Sequence, residues 1–139
     1  INNYIRLAQE LSEKMSCKFY IAAGPNDIDL INKFKESVVG KNSISFEKFS
    51  IKETLPIIKN CDCYIGNDTG FAHVSVALKI KSLVIFMDTP IFVYGSYAPA
   101  IMSTVEPEGV EKGTTTHDTL GKDKISFDEV FTRSIEMLS

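Results

Sequence analysis

The residues Gly66-Asn67-Asp68-Thr69-Gly70-Phe71-Ala72-His73 set a carboxylate, a hydroxyl, an imidazole and two glycines within one short stretch. They follow an apolar run that starts at Cys61 and precede a helical pattern, so a strand ends, polar residues turn the chain, and a helix begins. Amides at a new helix N-terminus have no carbonyl partner and sit at the positive end of the dipole, which favours an anion such as a diphosphate. Gly70 lets the backbone approach a phosphate closely. Thr69 could cap the helix or give its hydroxyl to a phosphate oxygen. His73, about one turn further on, could donate to phosphate and would do so better when protonated. Asp68 would repel a phosphate set against it, so it is expected to hold loop amides or to accept from sugar hydroxyls.

Two other places could join this chemistry. Met87-Asp88-Thr89-Pro90 ends a second apolar run, and Thr89 could add a hydroxyl to the same pocket. In the turn from Gly24 to Asp29, either Asp27 or Asp29 could take ribose hydroxyls. Each feature also has a plain structural reading. Asp-Thr-Gly occurs at many turns without a ligand, and a lone His73 also suits a helix surface. Cys61 and Cys63 share one face of a strand by its period of two, and with no His or Cys partner at zinc spacing they read as core. Asp88-Thr89-Pro90 lacks the second aspartate of a D-x-D-x-T phosphatase, because Pro90 stands in its place. His117 and Asp118 are given no role.

The elements that position these residues follow from periodicity and punctuation. Tyr4, Leu7, Ala8, Leu11 and Met15 predict an amphipathic helix over 2–15. Residues 17–23 read as a strand, 24–27 as a turn, and 29–38 as a helix stopped by Gly40. A weak strand covers 44–49. Ser50 with Glu53 makes a capping box for a helix to about Asn60, in which Pro56 is tolerated only near the first turn. A strand at 61–67, a helix at 71–80 and a strand at 82–87 come next. From Asp88 to Lys124 the chain is mostly loop, with one short strand near Ile101 to Val105, and a chain stretch this long reads as a functional loop. Ser126, with Glu129 three residues on, starts a closing helix. Strands alternating with helices predict an α/β fold, a parallel sheet with helices on both faces.

Bulk properties narrow the class. The chain has 139 residues, read as one domain over 1–139, and 44% hydrophobic content, enough for a core without disulfides or metal. A net charge of −3 and the lack of a basic block argue against a nucleic-acid partner. No apolar run approaches the roughly 18 residues of a membrane span. Three cysteines suit a reducing cytoplasm. The start at Ile1, inside a helical pattern, reads as a piece of a longer protein.

The stretch Cys61 to Pro90 resembles the signature of the heptosyltransferase family, glycosyltransferase family 9. That signature is a D-T-G-x-x-H loop, an A-L-G-like helix end, a hydrophobic strand and a T-x-P or T-P loop. Here these are Asp68 to His73, then Ala77-Leu78-Lys79, then Leu83 to Phe86, then Thr89-Pro90. The opening helix, the turn at Gly24 to Asp29 and the closing segment KISFDEVFTRSIEML are similar to further family segments. Three departures stand out. Lys79 replaces the usual glycine, Met87-Asp88 stands where a glycine is usual, and the loop Ile91 to Thr116 with Phe92, Tyr94 and Tyr97 lacks a strict match. They bear on the sugar and the acceptor more than on the fold.

The resemblance implies a GT-B architecture of two Rossmann-like domains, with this chain as the C-terminal half that binds the nucleotide-sugar donor, typically ADP-heptose. Carried over, Asp68, Thr69, Gly70 and His73 become donor-site residues, joined by Thr89. Asp27 or Asp29 would contact the ribose, and Phe49 would line the adenine pocket. The implied chemistry is sugar transfer with inversion, without metal or cofactor. Its general base is a carboxylate of an N-terminal domain outside this chain, so no catalytic residue is assigned. The implied acceptor is a saccharide or lipid-linked saccharide of lipopolysaccharide type, and the implied location is cytoplasmic, at most peripheral on the inner membrane face. Two other readings stay open: a GT-B transferase using another nucleotide-sugar, and a non-catalytic nucleotide-sugar-binding module.

Overall fold

The computed structural model describes residues 1–139. Its contacts gather into two compact units, Ile1–Thr54 and Leu55–Ser139.

In the first unit, α1 (Asn2–Lys14) buries Leu7, Ala8 and Leu11, the stripe its period predicts. Next come β1 (Tyr20–Ile21), a 3₁₀ turn (Pro25–Asp27), α2 (Ile28–Glu36), a second 3₁₀ turn (Val39–Asn42) and β2 (Ile44–Ser45). The two strands pair in parallel, Tyr20 with Ile44 and Ile21 with Ser45. They are much shorter than the runs 17–23 and 44–49 because each has only the other as a neighbour. Phe34, buried on α2, meets Phe19 edge-on at 6.1 Å. Phe46 packs between Tyr20 and Phe49.

Gly40 does not stop α2. The helix ends at Glu36, where the Ser37 hydroxyl donates to the Phe34 carbonyl at 2.6 Å and accepts from the Gly40 amide at 3.2 Å. The glycine instead lets the next turn lie against the helix end, since a Cβ there would stand 1.8 Å from the Phe34 carbonyl oxygen.

Helix α3 (Ile51–Lys59) opens with the expected capping box. The Ser50 amide donates to Glu53 Oε2 at 2.7 Å, and the Glu53 amide donates to Ser50 Oγ at 3.4 Å. Pro56 lies past the first turn, contrary to expectation. Its missing N–H removes one helical bond. Its carbonyl accepts from Asn60 Nδ2 at 2.7 Å.

The second unit contains β3 (Cys63–Asn67), α4 (Gly70–Ala77), β4 (Lys81–Ile85), the short α5 (Ile91–Tyr94), β5 (Met102–Val105) and α6 (Phe127–Leu138). Its strands pair in parallel in the order β3-β4-β5. Pairing is thus parallel throughout, as expected, and is divided between two sheets. The central strand β4 is buried at every position from Ser82 to Ile85, the mark of a strand covered on both faces. Val84 and Phe86 form one core with Ala72 and Val76 of α4, Ile91 and Met102.

Helix α6 starts at Ser126, whose hydroxyl accepts from the Glu129 amide at 3.4 Å. It packs against β3 and β4 and buries Val130 and Ser134. Its Arg133 Nη1 donates to the Thr104 carbonyl of β5.

Two departures from the family pattern acquire a structural meaning here. The α4 C-terminus closes with Lys79 N–H to Val76 O and Ile80 N–H to Ser75 O, both 2.9 Å. This is a Schellman closure, which needs a left-handed residue. Lys79 fills that place with φ 62°, and a glycine there would be unstrained. The long segment after β4 is ordered. Ile91 N–H bonds to Thr115 O, Gly121 N–H to Met87 O, and Glu108 N–H to Lys124 O. The Glu106 carboxylate accepts from the Gly113 amide at 2.9 Å and from the fully buried Thr115 hydroxyl at 2.7 Å. No helix of the chain is long and apolar enough to cross a membrane.

Candidate functional site

The ladder between β3 and β4 continues past Asn67, because the Asp68 amide donates to the Ile85 carbonyl at 3.1 Å. The carboxyl ends of the two strands therefore lie side by side, the position where open parallel sheets bind ligands. Thr69 takes the N-cap position of α4 with extended backbone, φ −145° and ψ 170°. Its hydroxyl makes no capping bond and lies 3.3 Å from Tyr64 Oη. Thr69 thus gives the first turn of α4 no side-chain cap, and its carbonyl accepts from the Ala72 and His73 amides. A Cβ built on Gly70 meets no atom within 4 Å, and its φ is not left-handed. Neither packing nor backbone geometry requires glycine there. The missing side chain leaves the helix end open to a ligand.

His73 occupies the first turn of α4 with both ring nitrogens engaged. Nε2 lies 2.9 Å from Asp68 Oδ1, and Nδ1 lies 2.7 Å from Tyr97 Oη. A carboxylate only accepts, so Nε2 carries the hydrogen. In the neutral ring Nδ1 then accepts from the Tyr97 hydroxyl, and in the protonated ring it donates to the same oxygen. The structure thus joins Asp68 to His73 rather than to loop amides. Thr89, just beyond β4, has a buried Oγ1 without a hydrogen-bond partner. An unsatisfied buried hydroxyl costs about 1–3 kcal/mol, so this one has an acceptor or donor to gain.

The remaining candidates belong to the first unit. Asp27 Oδ2 accepts from the Gly24 amide at 3.3 Å, which holds the turn. Asp29 is exposed in the first turn of α2. Phe49 is exposed and packs edge-on against Phe46 at 6.1 Å.

The sequence profile of the family described as "Glycosyltransferase family 9 (heptosyltransferase)" matches residues 1–122. The chain belongs to glycosyltransferase family 9. Among its relatives, "Lipopolysaccharide heptosyltransferase 1" of Campylobacter coli is 31% identical over 101 aligned positions, in a match that covers 68% of this chain and 28% of that protein. Two solved structures share the fold across 98% of the chain. The glycosyl transferase family 9 from Veillonella parvula superposes with a TM-score of 0.74 at 18% identity. The E. coli ADP-heptose lps heptosyltransferase II superposes with 0.72 at 15%. The chain covers 40% of each.

Within this family 9 chain, the structure adds two residues to those found from sequence. Tyr64 folds back over Gly66, where a Cβ would stand 2.6 Å from its hydroxyl, and donates to the Asn67 carbonyl at 3.1 Å. The Tyr-x-Gly spacing on one strand face was its only signal. Tyr97 reaches His73 across 24 residues of sequence, and no periodicity announces that contact.

Burial pushes the Tyr64 phenol above its ordinary pKa, with Asp68 adding to the rise and the Thr69 hydroxyl offsetting part of it. The folded state therefore holds the neutral phenol longer than the unfolded chain does. The stability this gives is fully present below the ordinary tyrosine value of about 10 and is lost as pH rises through the folded value. Tyr64→Phe is expected to lose about 1 kcal/mol near neutrality through the Asn67 bond. Its stability is expected to fall less steeply than the parent's above pH about 10. Urea unfolding across pH 8 to 11 checks this, and parallel curves would remove Tyr64 from the account.

Proposed function

We propose that this chain is the donor-binding part of a heptosyltransferase-like enzyme. It holds a nucleotide-diphospho-sugar, ADP-heptose, for transfer to a saccharide acceptor of lipopolysaccharide type at the cytoplasmic membrane face. The observation that carries this reading is the N-terminus of α4. It stands at the carboxyl end of β3, with no cap from the Thr69 side chain, behind a glycine that nothing in the fold requires.

In the transfer, the acceptor oxygen bonds to the anomeric carbon and the carbon–oxygen bond to the diphosphate breaks. The bonding pair leaves with the nucleoside diphosphate. The α4 amides are already oriented toward the charge that grows on that leaving group, so they need no reorganisation as it forms. Thr89 supplies a further hydroxyl. Asp68 fixes the His73 ring at the rim of the same helix end. A carboxylate outside this chain takes the acceptor proton, and the sugar is transferred with inversion.

Calorimetry and NMR with ADP, UDP, GDP and ADP-heptose test the reading. Saturable ADP binding with shifts at Gly70 and His73 is expected. Tighter UDP or GDP binding would change the nucleotide and leave the site in place. Failure of all four to bind the intact protein would overturn the reading. Asp68→Ala is expected to weaken ADP-heptose binding about fivefold or more at nearly unchanged Tm. Unchanged binding with lost stability would make this loop a structural turn only.

A further inference from the structure

We infer that Tyr94 and Tyr97 form the sugar-facing wall of the donor site, and that Asp68 and His73 act as positioning residues holding Tyr97 in that wall. The inference rests on the donor-site reading above.

The segment from α5 to Tyr97 is anchored and yet presents apolar surface. Ile91 is buried in the core with Ala72 and Phe86, and the Gly95 amide donates to its carbonyl at 2.7 Å. The residues that follow Ile91 are nevertheless exposed: Phe92 at 64%, Val93 at 49%, Tyr94 at 45% and Tyr97 at 53%. Large side chains held in the open on a fixed loop commonly mark a contact surface.

Two of them border the candidate site. The Tyr97 ring centroid lies 5.7 Å from the His73 ring and the Tyr94 centroid 6.1 Å from it. Tyr97 is also tied through Oη to Nδ1, and His73 in turn to Asp68. The chain Asp68–His73–Tyr97 thus fixes an exposed aromatic ring beside the helix end assigned to the diphosphate.

The chemistry of the rings selects the part of the ligand that meets them. An aromatic face carries negative charge and gives a phosphate nothing. It attracts the weakly positive C–H edge of an apolar surface, and a tyrosine adds a hydroxyl for hydrogen bonding. A sugar ring offers both a C–H face and hydroxyls. In the donor it is bonded directly to the diphosphate, so it must lie next to the α4 amides. The wall is confined to the two tyrosines whose rings meet His73.

The test compares ADP with ADP-heptose on the intact protein, or UDP with a UDP-sugar if uridine binds more tightly. Tyr97→Ala and Tyr94→Ala should each weaken the nucleotide-sugar about two- to tenfold. The nucleotide alone should stay within about twofold of the parent in both variants. Tyr97→Phe, which keeps the ring, should retain part of the sugar contribution and stands in should Tyr97→Ala fail to fold. His73→Ala should remove the same contribution, and the Tyr97→Ala, His73→Ala double variant should be no worse than the poorer single one. Equal losses for nucleotide and nucleotide-sugar, or no loss for either, would overturn the wall. Additive losses in the double variant would overturn the positioning role. A parent protein that binds no nucleotide would overturn the donor-site reading, and the wall with it.

Discussion

Gly70→Ala is expected to melt at the parent's temperature or slightly above it, and yet to bind the nucleoside diphosphate about tenfold or more weakly. The first half follows from the empty space around the glycine and its ordinary φ. An added methyl meets nothing and lowers the entropy of the unfolded chain, an effect of about 0.4–1 kcal/mol where the backbone is compatible. The second half follows from what the methyl would cover. Hydrogen bonds to a charged group contribute about 1.5–3 kcal/mol each, and about 1.4 kcal/mol is a factor of ten. Calorimetric melting and nucleotide titration on the same preparation decide the matter. Intact binding would mean that the α4 amides do not meet the phosphates, and a large fall in Tm would mean that the glycine serves the fold.

Gly40→Ala carries the opposite expectation. Its Cβ would stand 1.8 Å from the Phe34 carbonyl oxygen and 2.7 Å from the Lys35 Cα, so the backbone itself must move. Overpacking costs about 1–3 kcal/mol and sometimes more, and backbone obstacles place this variant at the upper end. Urea unfolding should show a clearly lowered midpoint, with nucleotide binding at saturating protein stability unaffected in kind. A midpoint within experimental error of the parent would show that the turn after α2 shifts freely. The same substitution is thus expected to act on recognition at one glycine and on stability at the other.

Sequence carried furthest where the signal is local. The α1 stripe, the Ser50–Glu53 capping box, the Ser126 N-cap and the strand–turn–helix at Gly66 to His73 depend on residues within a few positions of each other, and the structure shows them. The short strand near 101–105 was legible as an apolar run between turn residues. What escaped depends on contacts distant in sequence. The run Cys17 to Ala23 has strand composition, but only Tyr20 and Ile21 find ladder partners. Gly40 reads as a helix stop, whereas its need is set by the Phe34 carbonyl. The Tyr97 hydroxyl on His73 spans an irregular loop whose path no periodicity encodes. Lys79 was legible as a departure from a family glycine, and its left-handed φ gives that departure a cost.

Arg133 bears on how the outer strand of the second sheet is guarded. The Ser82 and Phe86 amides take the carbonyls of Ile101 and Val105, so the alternate carbonyls of β5 point away from the sheet toward its open edge. Such an edge is a template on which another chain can add a strand and seed aggregation. The Arg133 guanidinium occupies the Thr104 carbonyl on that side. Helix α6 therefore blocks edge-to-edge growth with a charged side chain, and losing its last turns would uncover a sticky strand as well as thin the core.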